Sequence, residues 1–176
     1  MSRFIGAAGV LLFLVTGCHG APHDDPLSAG TAPVSKVSTG DIAHLVGVRL
    51  DPEDRYDTLV LEFADHIPGY TVGYQPLPAR ADASGFEIPL PGASNLVQIT
   101  LNPATADGWA GGQRTYFGPS AVSADTAVVT EAKAAGDFEA TLTWVVGLRS
   151  EAPFRVQELQ DPPRIEVDFQ RPDDRR

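Results

Sequence analysis

The stretch from Arg55 to Tyr74 commits the chain to β-structure more firmly than any other. Leu59, Leu61 and Phe63 alternate with Val60, Glu62 and Ala64, and a two-residue period is that of a strand with one buried face. Ile67-Pro68-Gly69 then turns the chain, because proline presets one turn residue and glycine tolerates the next. Tyr70, Val72 and Tyr74 follow with the same period and are expected to form a partner strand.

The rest of the chain repeats this texture. From Ile42, one face carries His44, Val46, Val48 and Leu50, and the other Leu45, Gly47 and Arg49. Asp51-Pro52-Glu53-Asp54 is a polar turn, so this strand and the Arg55 strand are expected to form a hairpin. Gln75 to Pro91 contains Pro76, Pro78, Pro89 and Pro91 and reads as loop or edge, since proline removes ladder donors. Strands are expected over Leu96–Leu101 and around Ala127–Glu131. Phe138, Ala140, Leu142, Trp144, Val146 and Leu148 alternate over eleven residues, which predicts one long strand with Trp144 in the core. Phe154 and Val156 open another strand, and Asp161-Pro-Pro-Arg164 turns into a last one whose inward residues are Ile165, Val167 and Phe169. Glu166 and Asp168 then read as its solvated face. Eight to nine short strands without a helical period must pack sheet on sheet or close their sheet. The expected fold is all-β, a two-sheet β-sandwich or a partly closed barrel.

Charge and the N-terminus bound the surroundings. With 176 residues the chain is long enough for one domain with a real core. Its formal charge of −10 argues against nucleic acid, which needs clustered Lys and Arg, and against a basic membrane-adhesive patch. Arg3 is followed by an apolar run from Phe4 to Val15, too short to span a bilayer and suited to the core of a signal peptide. Leu14-Val15-Thr16-Gly17-Cys18 looks like a bacterial lipobox, and Cys18 is the only cysteine. Residues 1–17 are therefore expected to be a lipoprotein signal peptide and Cys18 the lipidated residue, the alternative being an ordinary signal peptide and a secreted protein. Either way the domain is expected outside the cytoplasm, anchored on the outer face of the membrane if lipidated. Removing residues 1–17 takes away Arg3 alone among charged groups, leaving 12 basic and 23 acidic residues, so the acyl chains would anchor without electrostatic help. Residues 18–40, rich in Ala, Pro, Ser, Thr, Gly and Asp, read as a flexible tether that can be removed without loss of stability. The β domain is expected over 41–170, with a charged tail at 171–176.

Catalytic signatures are missing from the sequence. There is no Gly-x-Ser-x-Gly elbow, no His-Glu-x-x-His and no thiol beyond Cys18, and the four histidines are dispersed. No enzyme activity, cofactor or metal is expected. His19, His23, Asp24 and Asp25 sit in the tether, where nothing would hold ligands in place, and His44 reads as a strand-end or partly buried residue rather than a ligand. The unusual segment is Asp107 to Pro119, in which Gly108, Gly111, Gly112 and Gly118 accompany Trp109, Arg114, Tyr116 and Phe117. Aromatic faces pack on the C–H face of a sugar, and arginine pairs with carboxylates, so these four residues are the candidate ligand site. The competing account tucks the aromatics back onto the sheet as packing.

Leu159-Gln-Asp-Pro-Pro-Arg-Ile-Glu-Val-Asp-Phe169 resembles the AMIN domain signature, an Asn/Asp-Pro-Pro-Arg turn followed by an apolar-x-Val-Asp-apolar strand. Gly47-Val-Arg-Leu50 with Asp57-Thr-Leu-Val-Leu-Glu-Phe63 resembles the other AMIN half, although here the Asp-Pro-Pro-Arg half comes last. The full order, Tyr-Asp-x-x-Val-x-Glu-Phe, Pro-Gly-Tyr, Tyr-Phe-Gly-Pro, Gly-Asp-Phe-Glu and Asp-Pro-Pro-Arg, is similar to the AMIN-like lipoproteins of high-G+C Gram-positive bacteria, from about Ile42 to Phe169. The resemblance implies a two-sheet β-sandwich and a non-enzymatic envelope role, with peptidoglycan or another envelope glycan as ligand. The alternative is a structural or adaptor lipoprotein that docks an envelope protein partner.

Overall fold

A computed structural model describes residues 29–108 and 112–172. Those residues form eleven strands: β1 Val34–Lys36, β2 Ala43–Pro52, β3 Tyr56–Phe63, β4 Gly69–Gln75, β5 Asn95–Asn102, β6 Ala104–Thr105, β7 Ala121–Val122, β8 Val129–Phe138, β9 Thr141–Leu148, β10 Phe154–Gln160 and β11 Pro163–Gln170. They make two sheets, one ordered β1-β4-β5-β9-β8-β7 and the other β10-β11-β3-β2-β6. The sheets stack as a sandwich and do not close into a barrel. Leu59, Leu61, Phe63, Ile165, Val167 and Phe169 from one sheet meet Val72, Ile99, Leu101, Trp144 and Val146 from the other in a single buried cluster. Burying one such side chain contributes about 1.5–3 kcal/mol, so this cluster is what holds the layers together.

The two sheets divide the sequence unevenly. β3 pairs with β2 on one side and β11 on the other, and β11 pairs with β10, so both AMIN-like halves lie side by side in one sheet. The β2–β3 and β10–β11 hairpins expected from the turns are present. The long middle of the chain, β4 to β9, supplies most of the second sheet. Between β4 and β5, the proline-rich segment folds back over that sheet's outer face, where Ala79 joins Leu96, Ala135 and Val145 in a smaller buried cluster.

Several local expectations need correction. β4 does not pair with β3: at Gly69 the chain passes to the other sheet, where β4 lies between β1 and β5. A Cβ at Gly69 would stand 2.6 Å from the Asn102 carbonyl and 2.7 Å from the Ser38 nitrogen, so only glycine fits that crossing. The face assigned to His44, Val46, Val48 and Leu50 is broken by a bulge between Leu45 and Gly47. Ahead of the bulge Ala43 and Leu45 are inside, while Val46 is exposed. The eleven-residue alternation ending at Leu148 is two strands. Phe138 closes β8, and Glu139 and Ala140 turn the chain with φ of 48° and 57° before β9 begins. Two successive left-handed residues match the twist of a tight hairpin, and neither is the glycine that would have announced it. Phe138 is accordingly exposed, whereas Trp144 is in the core as expected.

Residues 30–36, expected to be part of the tether, lie against the sandwich instead. Gly30 exchanges two backbone hydrogen bonds with Phe154 of β10, at 3.0 and 2.7 Å. Val34, Ser35 and Lys36 then pair with Val72, Thr71 and Tyr70 of β4. Residues 30–36 thus form a strap that crosses from the edge of one sheet to the edge of the other. Glu158 of β10 fastens it, accepting from Lys36 Nζ at 2.6 Å and from the Tyr70 hydroxyl at 3.0 Å. Burial and the neighbouring Glu158 carboxylate push the Tyr70 phenol up to about 12.

Candidate functional site

The segment after β6 is sewn to the sandwich by its backbone. The N–H groups of Thr115 and Tyr116 both donate to the Ala106 carbonyl at 3.0 Å. The Thr115 hydroxyl donates to the Leu45 carbonyl at 2.8 Å, beside the bulge in β2. Successive residues then point opposite ways. Tyr116 is 5 % exposed, meets Trp144 edge-on with centroids 6.0 Å apart, and donates its hydroxyl to the Pro119 carbonyl at 2.8 Å. Burial raises its phenol pKa. A Cβ at Gly118 would lie 2.5–2.7 Å from this ring, so the glycine makes room for it. Phe117 is 80 % exposed.

Of the four candidate ligand residues, the structure therefore places Tyr116 with the packing, as the competing account had it, and holds Phe117 out in water. Arg114 is exposed too, its Nε donating to the Tyr116 carbonyl at 2.8 Å and standing 3.0 Å from Asp107 Oδ1, in an ion pair more than half exposed. Trp109 and the lipidation candidate Cys18 lie outside the described residues.

Beneath this segment is a cleft of about 240 Å³, lined by Asp107, Arg114, Tyr116, Asp137, Leu142 and Trp144 among others. Asp137, on β8, is part of that lining and holds the chain at the end of β6. Its Oδ2 accepts from the N–H groups of Ala106 and Asp107 at 2.7 and 3.0 Å, and the Thr105 hydroxyl bonds the same carboxylate. Trp144 is 1 % exposed, and its indole N–H has no partner among the described residues. An unsatisfied buried donor costs about 1–3 kcal/mol, so this one stands out in an otherwise satisfied wall. Asp107 and Asp137 were not singled out from the sequence; the only signal for Asp137 was its place in Gly-Asp-Phe-Glu.

The other carboxylates in family-like motifs are structural. Asp57 has no exposed surface, and its Oδ2 accepts from Val128 and Val129 N–H at 2.6 and 3.0 Å, which ties β3 to the start of β8 across the sandwich. Arg171 Nε stands 3.4 Å from the other oxygen, near enough for charge attraction without forming a hydrogen bond. Asp168 corrects the expected solvated face. It is 2 % exposed and accepts from Thr58 Oγ1, Arg155 Nε and Gln157 Nε2 at 2.7, 2.8 and 2.6 Å, all of which cover it. His44 and His66 flank Asp65, with His44 Nδ1 at 2.8 Å. Partial burial works to raise the Asp65 pKa, but the hydrogen bonds from both histidines outweigh it, and the carboxyl sits below its ordinary value. Among the described residues no cluster of His, Cys, Asp and Glu is arranged to hold a metal.

The structure is thus two stacked sheets whose motif carboxylates are held by buried backbone and side-chain donors, with a cleft lined from the segment after β6. The chain belongs to the AMIN-like domain family, which it matches over residues 43–171, from the start of β2 to just past β11. Domains of this family are generally associated with the cell envelope and are typically extracytoplasmic. No curated protein and no solved structure matches the chain.

Proposed function

We propose that the protein is a non-enzymatic, lipid-anchored envelope module that contacts peptidoglycan with the end of the sandwich carrying Phe117, Arg114 and the cleft. The carrying observation is Phe117, an aromatic ring 80 % exposed on a backbone pinned on both sides of it. Holding a large apolar side chain in water is unfavourable, and a rigid exposed aromatic loses little entropy when it meets a ligand. Membership of an envelope-associated family supports the same reading. The lipid on Cys18 would keep the module beside the wall.

Retention on purified sacculi tests this. The wild-type chain should be retained weakly and somewhat better as salt is added, because a charge of −10 is repelled by an anionic wall. Phe117→Ser with Arg114→Gln should abolish retention while the thermal midpoint holds, since neither side chain is buried. No retention of the folded wild-type chain at any salt would discard the glycan reading. The protein-partner reading would then take its place, favoured by β10, which beyond its bridge to Gly30 pairs with no further strand on its outer side among the described residues.

A further inference from the structure

We infer that the cleft receives a group with an ammonium and a carboxylate on one carbon, the chemistry of the free end of a diamino acid in a peptidoglycan stem peptide. This rests on the envelope-binding reading and names the part of the wall that enters the cleft. Sugar recognition would need an aromatic face, and among the described lining residues there is none: Tyr116 and Trp144 pack edge-on against each other and are 5 % and 1 % exposed. What remains in the lining is charge of both signs. Arg114 uses only its Nε toward Asp107 and the Tyr116 carbonyl, and its terminal nitrogens have no partner among the described residues. A guanidinium presents those nitrogens as parallel donors that match a carboxylate. In the same lining, Asp137 takes two backbone N–H groups on Oδ2, while Oδ1 has only the Thr105 hydroxyl, at 3.1 Å and shared with Oδ2. A carboxylate has about four acceptor positions, so an ammonium can still be received there and at the exposed Asp107. The unpartnered Trp144 indole N–H in the same wall lacks an acceptor. The volume points the same way: about 240 Å³ is less than a drug-sized ligand takes and suits one amino-acid head group.

The test follows the Trp144 indole N–H resonance of the full chain by NMR during titration with a disaccharide-tetrapeptide containing diaminopimelate. The expected result is a saturable shift. Affinity should weaken about tenfold or more when the free diaminopimelate carboxylate is amidated, and equally in Arg114→Gln, as for the loss of a hydrogen bond to a charged group. The peptide-free disaccharide should leave the resonance unmoved. Free diaminopimelate separates the two sources of the same head group: tighter binding of the tetrapeptide supports the wall, and equal binding overturns that assignment. Equal binding by the disaccharide alone, or indifference to amidation, overturns the inference and leaves the envelope reading standing. Retention on sacculi without any shift also overturns it, because contact would then be made elsewhere. If retention and shift both fail, the glycan reading falls and this inference falls with it.

Discussion

Asp57 shows what single residues contribute here. A carboxylate with no exposed surface holds two backbone donors of the opposite sheet, so its loss would strand both. Asp57→Ala should cost about 2–6 kcal/mol, one unsatisfied-donor penalty for each N–H, read from the urea midpoint. Asp57→Asn keeps an acceptor oxygen and should cost less. Equal stability of the alanine variant and wild type would show that the tie is not needed. Strand phase alone put Asp168 in solvent because alternation reports which face a residue is on, not what covers that face. Its covering comes from Thr58, Arg155 and Gln157, set beside it by pairings between distant parts of the chain. The same limit applies at the site. Tyr116 and Phe117 are adjacent and chemically alike, and only Gly118, which leaves space for one ring, hints at which turns inward.

At the scale of elements, seven of the eight longer strands were legible because each runs seven residues or more, enough to display a period; β8 was not, its start being expected around Ala127–Glu131 and its last residue, Phe138, being read into β9. β1, β6 and β7 are two or three residues long and carry no period to read. The bulge in β2 and the Glu139–Ala140 turn were hidden too, since neither depends on a residue that advertises it. The strap is the costliest omission, and it reverses an expectation about stability. A chain beginning at Asp41 should melt about 4 °C or more below one beginning at Ala29, the shift that ~1 kcal/mol or more produces at this size. Unchanged melting would mean that β1 lies on the sandwich without supporting it. The fastening also has a pH signature. An unfolded Tyr70 ionises near its ordinary 10.0, but in the fold the phenol holds its proton to about 12. Below the first value its contribution is complete, and it is lost as pH rises from the first value to the second. Melting temperature should therefore fall across that window, and Tyr70→Phe should flatten part of the fall. Tyr74 and Tyr116 are shifted the same way, so some slope should remain.

For the whole molecule, the two-layer plan could be read from strand count and turns, but the assignment of strands to layers could not. Pro68-Gly69 looks like a hairpin turn, and only the packing at Asn102 and Ser38 shows that it passes the chain between sheets. Among the described residues no helix is long and apolar enough to cross a membrane. Attachment through Cys18 makes a direct prediction: Cys18→Ala should lose lipid labelling and leave the membrane fraction, and persistent attachment of that variant would sink the anchor. With an anchor on that side, the strap acquires a mechanical meaning. Load arriving from the N-terminal direction meets the Gly30–Phe154 bridge first and the three pairs of β1 next, before it reaches β2. Peeling residues 30–36 would release roughly 20 Å of slack, at about 3.3 Å per residue, and leave the packed layers closed. The strap would behave as a fuse in series with the anchor, yielding under a pull between membrane and wall before the domain itself is strained.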